Sequence, residues 1–397
     1  MHYSLSTVLM TILASNLLII LITFCFRQKK ILLSVGYRLL AVFLLLTAIR
    51  FLFPFELPFT KSIYLPESFS KTLSSIRHPF YKFHNLKISI WFLIECVWFI
   101  GIVVNLVKHI RIHKKFANYI RFYGKDISNS EPVNSILSEI CGKRKNPFRV
   151  ISIPGLKIPQ VTGIFVPKIL LPEQMEITDK DLPYILQHET FHHYHHDLLK
   201  KEMVCLLCAA YWWNPACHVF QKQVNLILEM HVDDSLVQNN SSGTIDYLNT
   251  LVRLLEFSSN HANTAPAGVT VSAVGETESE LTQRFHMMCY QHKRTDIFML
   301  LPLLIMVISI YVCSYLVIIE PSCYIETFGN ENSFDLSTNF FAYPKEDGSY
   351  DIYMSDVFIE NVPTLEYYRG VALRTKRKIF SYKIQKPLLK RNLKKDA

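Results

Sequence analysis

The chain has 397 residues, half of them hydrophobic, with 42 Lys or Arg against 33 Asp or Glu and a formal net charge of +9. That apolar fraction, with a positive mean hydropathy, is the balance of a polytopic membrane protein and not of a soluble enzyme or a disordered chain. Nine Cys at no regular spacing exclude a disulfide scaffold. The basic excess, gathered beside apolar segments and in the last two dozen residues, fits contact with a lipid bilayer better than direct nucleic-acid binding.

In chain order, Ser4–Phe26, Ile31–Phe55, Ile88–Val107 and Ile297–Ile319 are each long and apolar enough to cross a bilayer. Arg27, Lys29 and Lys30 occupy the turn between the first two. Lys108, Arg111, Lys114, Lys115 and Arg121 follow the third, and Lys293 and Arg294 precede the fourth. All three clusters are cytoplasmic if the N-terminus is outside, although the 56–87 loop, with five basic residues, is then external. Arg50 and Glu95 fall about 6 and 10 Å below the outer ends of their spans at 1.5 Å per residue. An ion pair between them is expected, with a part in relaying an external signal as the sharper reading.

Residues 109–296 form the largest polar block. It opens with a basic helical stretch. Phe148–Pro172 follows, where β-branched residues alternate with Pro and Gly, the pattern of short edge strands and turns. Thr178 and Asp181 resemble a capping box that opens a helix with Leu182, Ile185 and Leu186 on its buried face. A second helix is expected from about Leu198 to Trp212. Asn214-Pro215 then breaks and restarts the chain, Asn as N-cap and Pro at the first helical position. Cys205 and Cys208 lie in an apolar helical stretch and read as buried thiols. Polar loops at 239–243 and 258–278 and a helix over about Ser279–His292 lead to the fourth span. Beyond it, residues 324–373 alternate as strands do, and from Arg374 onward the chain is strongly basic and reads as solvated.

The chemistry lies at 188–192, His-Glu-Thr-Phe-His. At i, i+4 spacing His188 and His192 share a helix face and one metal ion, and Glu189 between them is placed to take a proton from water. A catalytic zinc needs a third ligand and an open position. Glu229, on the next long helix, reaches the two imidazoles if the helices pack antiparallel. Asp233 and Asp197 are candidates to hold the imidazoles from behind. The plain alternative is a solvated His tract, since His193, His195 and His196 adjoin.

The stretches "PQVTGIFVPKILLP" (159–172), "HETFHHYHHD" (188–197), "WWNP" (212–215) and "EMHVDD" (229–234), in that order, resemble the BlaR/MecR-type integral-membrane zinc metallopeptidases, the antirepressors of β-lactam resistance. The resemblance covers about residues 1–320. It implies Zn2+ held by His188, His192 and Glu229, with Glu189 as catalytic base. It also implies a substrate-receiving edge strand around Val161, Gly163 and Val166. The fold class expected is a mainly α membrane protein. Three transmembrane helices fill 1–108 with an external loop at 56–87, a cytoplasmic α+β zincin-like (gluzincin) metallopeptidase domain fills 109–296, a fourth span fills 297–319, and a short external tail runs over 320–397. The best-known relatives end in a penicillin-binding sensor with an S-x-x-K nucleophile. Here Ser68–Lys71 carries the only such match, inside the 56–87 loop, and the tail is too short for that domain.

The leading expectation is a protease that answers an external signal by cutting a cytoplasmic protein, a winged-helix repressor, or its own 282–296 segment. Alternatives are a quality-control protease for membrane proteins and a non-catalytic metal sensor. His193, Tyr194 and His231 are equal candidates to stabilise an oxyanion.

Overall fold

The computed structural model describes residues 5–55, 60–65, 79–83, 86–142, 146–175, 177–239, 243–260, 278–290 and 297–321, with parts of 340–380. The chain divides into two units, Met1–Ser322 and Cys323–Ala397.

The first unit is built on helices α1 (Leu5–Arg27), α2 (Lys29–Leu52) and α3 (Ile90–Tyr123), all long and apolar enough to cross a membrane. The helix α10 (Ile297–Leu316) is also apolar, and its described apolar part, Leu300–Leu316, is shorter than those three. The chain between α3 and α10 forms α4 (Val133–Cys141), α5 (Leu182–Tyr194), α6 (Asp197–Ala210), α7 (Pro215–Asn239), α8 (Thr244–Asn260) and α9 (Glu278–Tyr290).

A four-stranded sheet, in the order β4-β5-β7-β6, combines β4 (Lys125–Asp126), β5 (Arg149–Ile153), β6 (Gln160–Thr162) and β7 (Lys168–Pro172). The short strands β1 (Lys61–Leu65), β2 (Pro79–Phe83), β3 (Leu86–Ser89) and β8 (Val317–Pro321) lie outside that sheet, β1 parallel to β8 and β2 antiparallel to β3. Both faces of the four-stranded sheet are covered, which is why β5 and β7 are nearly continuous apolar runs. Val150, Ile169 and Leu171 pack with Leu137, Ile185 and Leu186 of α4 and α5. Ile151, Ile153 and Leu170 pack on the other face against Phe116 and Ile120 of α3.

The polar block 109–296 packs against the long apolar helices. Helices α6 and α7 form a hairpin that shares one apolar core with α1, α2 and α10. Leu18, Ile22, Leu40, Phe43, Phe220 and Ile227 are all buried in it. Polar contacts at the hairpin's turn reach deep into the bundle. Tyr211 O–H donates to the Phe51 carbonyl (2.9 Å), Asn214 Nδ2 to Asn16 Oδ1 (2.8 Å) and Trp212 Nε1 to the Trp98 carbonyl (3.3 Å). The Trp212 indole lies so close over Gly101 that any Cβ there would strike it. Apolar content decided the outcome: an amphipathic helix with Phe220, Leu226 and Ile227 on one face buries it against whatever apolar surface adjoins.

Asn214 caps α7 as its sequence suggested, accepting from the Ala216 N–H at 3.1 Å. Asn214→Ala removes that cap and strands Asn16, so unfolding should need about 1–2 kcal/mol less. Asn214→Asp should recover most of the capping share. Equal melting of wild type and alanine variant in detergent would contradict this.

The expected pair between Arg50 and Glu95 does not form. Arg50 is fully buried, with Nε on Ser314 Oγ (2.9 Å), Nη2 on the Ser314 carbonyl (2.9 Å) and its guanidinium over the Tyr315 ring. Glu95 lies on an exposed face of α3. Arg50 gives Nε, Nη1 and Nη2 to hydroxyl and carbonyl acceptors of Ser314 and Phe53, which take the place of a carboxylate on another helix.

In the second unit the described residues form one five-stranded sheet in the order β11-β10-β9-β12-β13. Its strands are β9 (Phe340–Pro344), β10 (Tyr350–Met354), β11 (Val357–Val362), β12 (Ala372–Thr375) and β13 (Lys378–Phe380). Ala342 and Ile352 are buried in it. The basic stretch therefore includes strand residues, Arg374 and Thr375 of β12 and Lys378–Phe380 of β13; 381–397 lie outside the described residues. Ser68–Lys71 and most of 258–278 also lie outside them.

Candidate metal centre

Thr178 and Asp181 meet at the start of α5 through one half of the expected capping box. Thr178 Oγ1 donates to Asp181 Oδ2 (2.6 Å) and accepts from the Asp181 N–H (3.3 Å). Asp181 is also gripped by Thr250 and Arg253 of α8, so the motif helix is fixed at its first turn. Burial works to raise the Asp181 pKa, but Arg253 and the two hydroxyls outweigh it and hold it low. At the other end the chain turns back in two residues, and His196 adopts a left-handed φ of 57° to allow it. Asp197, first residue of α6, is thereby aimed back at α5.

His188 and His192 project from one face of α5, with Nε2 atoms 3.2 Å apart. Helix α7 brings Glu229 to both: Oε2 is 3.3 Å from His188 Nε2 and 3.4 Å from His192 Nε2. Each ring is held from behind at Nδ1. On His192 the holder is the buried carboxylate of Asp197, at 2.9 Å. On His188 it is the Tyr247 hydroxyl, also at 2.9 Å. Tyr247 spends its own proton on Asp233 Oδ1 at 2.5 Å, so its oxygen accepts the His188 Nδ1–H. In their neutral forms both imidazoles then turn the Nε2 lone pair toward Glu229 Oε2.

His188 Nε2, His192 Nε2 and Glu229 Oε2 form a triangle with edges of 3.2, 3.3 and 3.4 Å. Such a triangle is repulsive unless a proton or a metal cation lies within it. Neighbouring donors in a tetrahedral zinc site with bonds of about 2.0–2.1 Å stand about 3.3–3.4 Å apart. The donor set and its edges fit that ion and leave a fourth position toward the cleft.

The electrostatics agree. Burial works to lower the His192 pKa, yet the Glu229 charge and the Asp197 hydrogen bond outweigh it and push it up to about 9. The pocket pulls in positive charge. Burial works to raise the Glu229 carboxyl, but His192 and Lys201 hold it well below its usual range. Burial and the neighbouring Asp233 charge push the Tyr247 phenol well above its ordinary value, so it remains a donor.

Four carboxylates surround the centre, and three are committed. Asp197 serves His192 and Lys200, and Glu229 takes Lys201 on Oε1 at 3.3 Å. Asp233 receives a two-pronged Arg284 at 2.7 and 2.8 Å. Glu189 is buried at 6 % exposure, lines the cleft, and has no ion-pair partner among the described residues.

Asp233 holds an imidazole, as the sequence suggested, but through Tyr247; its own oxygen is 3.9 Å from His188 Nδ1. Tyr247 and Arg284 escaped sequence reasoning because neither is a ligand type and neither keeps a spacing to the motif. Tyr247→Phe should weaken zinc binding about 10- to 100-fold, read by competition with a chelator. Unaltered affinity would show that His188 needs no holder.

The cleft above the triangle has a volume of ≈ 410 Å³, and Tyr184, Lys201, Arg284 and the segment Ile158–Val161 line it. Val161 lies on β6, whose other edge pairs with β7. Gly163 and Val166 need correction as edge-strand residues. Gly163 takes a φ of 88°, which ends β6 at Thr162 and starts the turn into β7, and a Cβ there would meet the Val166 carbonyl. Val166 is 57 % exposed in that turn. The expected oxyanion candidates also lie elsewhere. His193 and Tyr194 pack on Phe148, and His231 stacks on His195 at 4.2 Å.

The sequence model of a family described as BlaR1 peptidase M56 matches residues 59–288. The chain is 25% identical over 145 residues to the regulatory protein BlaR1 of Bacillus licheniformis, a stretch that covers 36% of this chain and 24% of that protein. The chain thus spans about a quarter of the length of the curated relative it matches.

Proposed function

From the premise that this chain belongs to the BlaR1 peptidase M56 family, we propose that it is a membrane-embedded zinc metalloendopeptidase that cuts a cytoplasmic protein in answer to an external signal. The observation that carries this reading is the triangle of two Nε2 atoms and one carboxylate oxygen, with an uncommitted Glu189 beside it. His188, His192 and Glu229 would hold the ion, which supplies Lewis acidity to polarise a peptide carbonyl and acidify water. Glu189 takes the proton of the attacking water and delivers it to the leaving amine. Asp197 and Tyr247 keep both Nε2 lone pairs aimed at the centre. Lys201 and Arg284, on the cleft wall, are the cationic groups nearest to where charge would develop on the carbonyl oxygen. The open side of β6 is available to an extended substrate.

The proposed topology has four spans, α1, α2, α3 and α10, with the N-terminus outside. Gln223 of α7 donates to Thr23 of α1, and Glu229 lies six residues further, about 9 Å along the helix. That reaches the level of the Arg27–Lys30 turn, so the site sits at the cytoplasmic membrane face and the α6–α7 hairpin dips into the bilayer.

Contact between α2 and α7 supports a signalling role. Tyr37 O–H donates to Asp234 at 2.6 Å and Arg38 Nη2 at 2.9 Å, one residue from the Asp233 that holds Tyr247. A shift of α2 therefore acts directly on the helix that carries Glu229. The proposed substrate is a winged-helix repressor. Self-cleavage within Thr282–Tyr290 would require α9 to unwind and release the buried Arg284. Comparison of proteins in cells expressing wild type or Glu189→Gln tests the substrate. One DNA-binding protein should disappear only with the wild type; loss of misfolded membrane proteins instead would replace signalling with quality control.

A further inference from the structure

A second group of metal-ligating side chains faces the same cleft from α3 and α6. His109 and His113 stand one helical turn apart at the inner end of the apolar part of α3, with ring centroids 4.3 Å apart. Glu202 of α6 reaches both: Oε2 is 2.8 Å from His109 Nε2 and Oε1 is 3.3 Å from His113 Nε2. The three residues each offer a ligand atom within 4.8 Å of the others.

Two details single this cluster out from an ordinary ion pair. Cys205, one turn beyond Glu202, puts Sγ 3.5 Å from His109 Nδ1. That contact fixes the ring with Nε2 toward Glu202, as Asp197 and Tyr247 fix the rings of the motif site. His113 Nε2 is enclosed yet makes no hydrogen bond among the described residues, because its approach to Glu202 is misaligned. An enclosed ring nitrogen of this kind is unfavourable, and a ligand bond would relieve it.

We propose that His109, His113 and Glu202 form a second divalent-metal site, for an ion of the zinc class. Two imidazoles and one carboxylate suit zinc, cobalt or cadmium better than calcium or magnesium, which prefer oxygen. Loading requires His109 and Glu202 to part by about 0.5 Å, from hydrogen-bond distance to the donor edge of a tetrahedral site. The ion ties α3 to the helix whose Asp197 and Lys201 hold His192 and Glu229. The two imidazoles share α3 with Lys108, Arg111, Lys114 and Lys115, and this positive charge makes the ion bind more weakly than the motif ion and leave first.

The site stands independently of the proposed peptidase activity. The test is metal content of the full-length protein in detergent, equilibrated with excess zinc, freed of unbound ion and measured by plasma mass spectrometry. Wild type should carry two ions per chain, and His109→Gln/His113→Gln should carry one. Glu202→Gln, nearly identical in shape, should also carry one and guards against misfolding of the double variant. His188→Gln/His192→Gln should lose the other ion and keep this one. A single ion in wild type, or a second ion that survives in Glu202→Gln and the double variant, would overturn the proposal. Loss of the His109-dependent ion alone would leave the peptidase reading untouched.

Discussion

Glu189→Gln is expected to lower peptide hydrolysis by about 10²- to 10⁴-fold while zinc at the motif site stays bound. Asp197, Glu229 and Asp233 are each tied to a histidine, a lysine or an arginine and cannot exchange protons without breaking a buried contact. Glu189 carries no such tie among the described residues and points into the cleft. The amide is the same size and cannot accept a proton, so geometry survives and proton transfer does not. Hydrolysis at the wild-type rate by Glu189→Gln would mean that another group is the base. Loss of zinc along with activity would mean that Glu189 acts on the ion's ligands.

Arg284→Met should destabilise the first unit by about 3–5 kcal/mol, the cost of stranding one partner of a buried ion pair. Arg284 is 3 % exposed and grips Asp233, itself 1 % exposed, through two hydrogen bonds. Removal leaves a buried carboxylate facing Tyr247 and, nearby, Glu229. Because Asp233 receives the Tyr247 proton, zinc affinity should fall too. Joint replacement of Arg284 and Asp233 by apolar residues should recover part of the stability but not the affinity. Chemical unfolding in detergent, followed with and without zinc, separates the two effects. A loss under about 1 kcal/mol would show that the pair is hydrated and not buried.

The convergence of His188, His192 and Glu229 was legible in the sequence because it obeys helical arithmetic. His188 and His192 share a face by spacing alone. Glu229 follows from one added assumption, antiparallel packing of the next long helix. The break-up of 148–172 into short strands and turns and the cap at Asn214 were legible for a similar reason, since Pro, Gly and Asn act locally; the expected edge placement holds only for β6, because β5 and β7 pair on both sides. Tyr247 and Arg284 were not, since they reach the site by tertiary packing of α8 and α9, whose sequences carry no periodic link to the motif. The packing of the α6–α7 hairpin on the spans was not legible, because Lys200, Lys201 and Glu202 give its base a soluble look. Its far end, with Tyr211 and Trp212, pairs with the spans. The Arg50–Glu95 pairing failed because charge alone does not say which acceptor a buried guanidinium will choose, and here carbonyl and hydroxyl oxygens of α10 were closer.

Zinc-edge X-ray absorption on His109→Gln/His113→Gln, which isolates the motif ion, tests the central claim most directly. The account predicts one zinc per chain with nitrogen and oxygen neighbours at about 2.0–2.1 Å, two imidazole scattering patterns and no sulfur. Sulfur neighbours at about 2.3 Å, or a zinc signal unchanged when Glu229 is replaced by Ala, would contradict it.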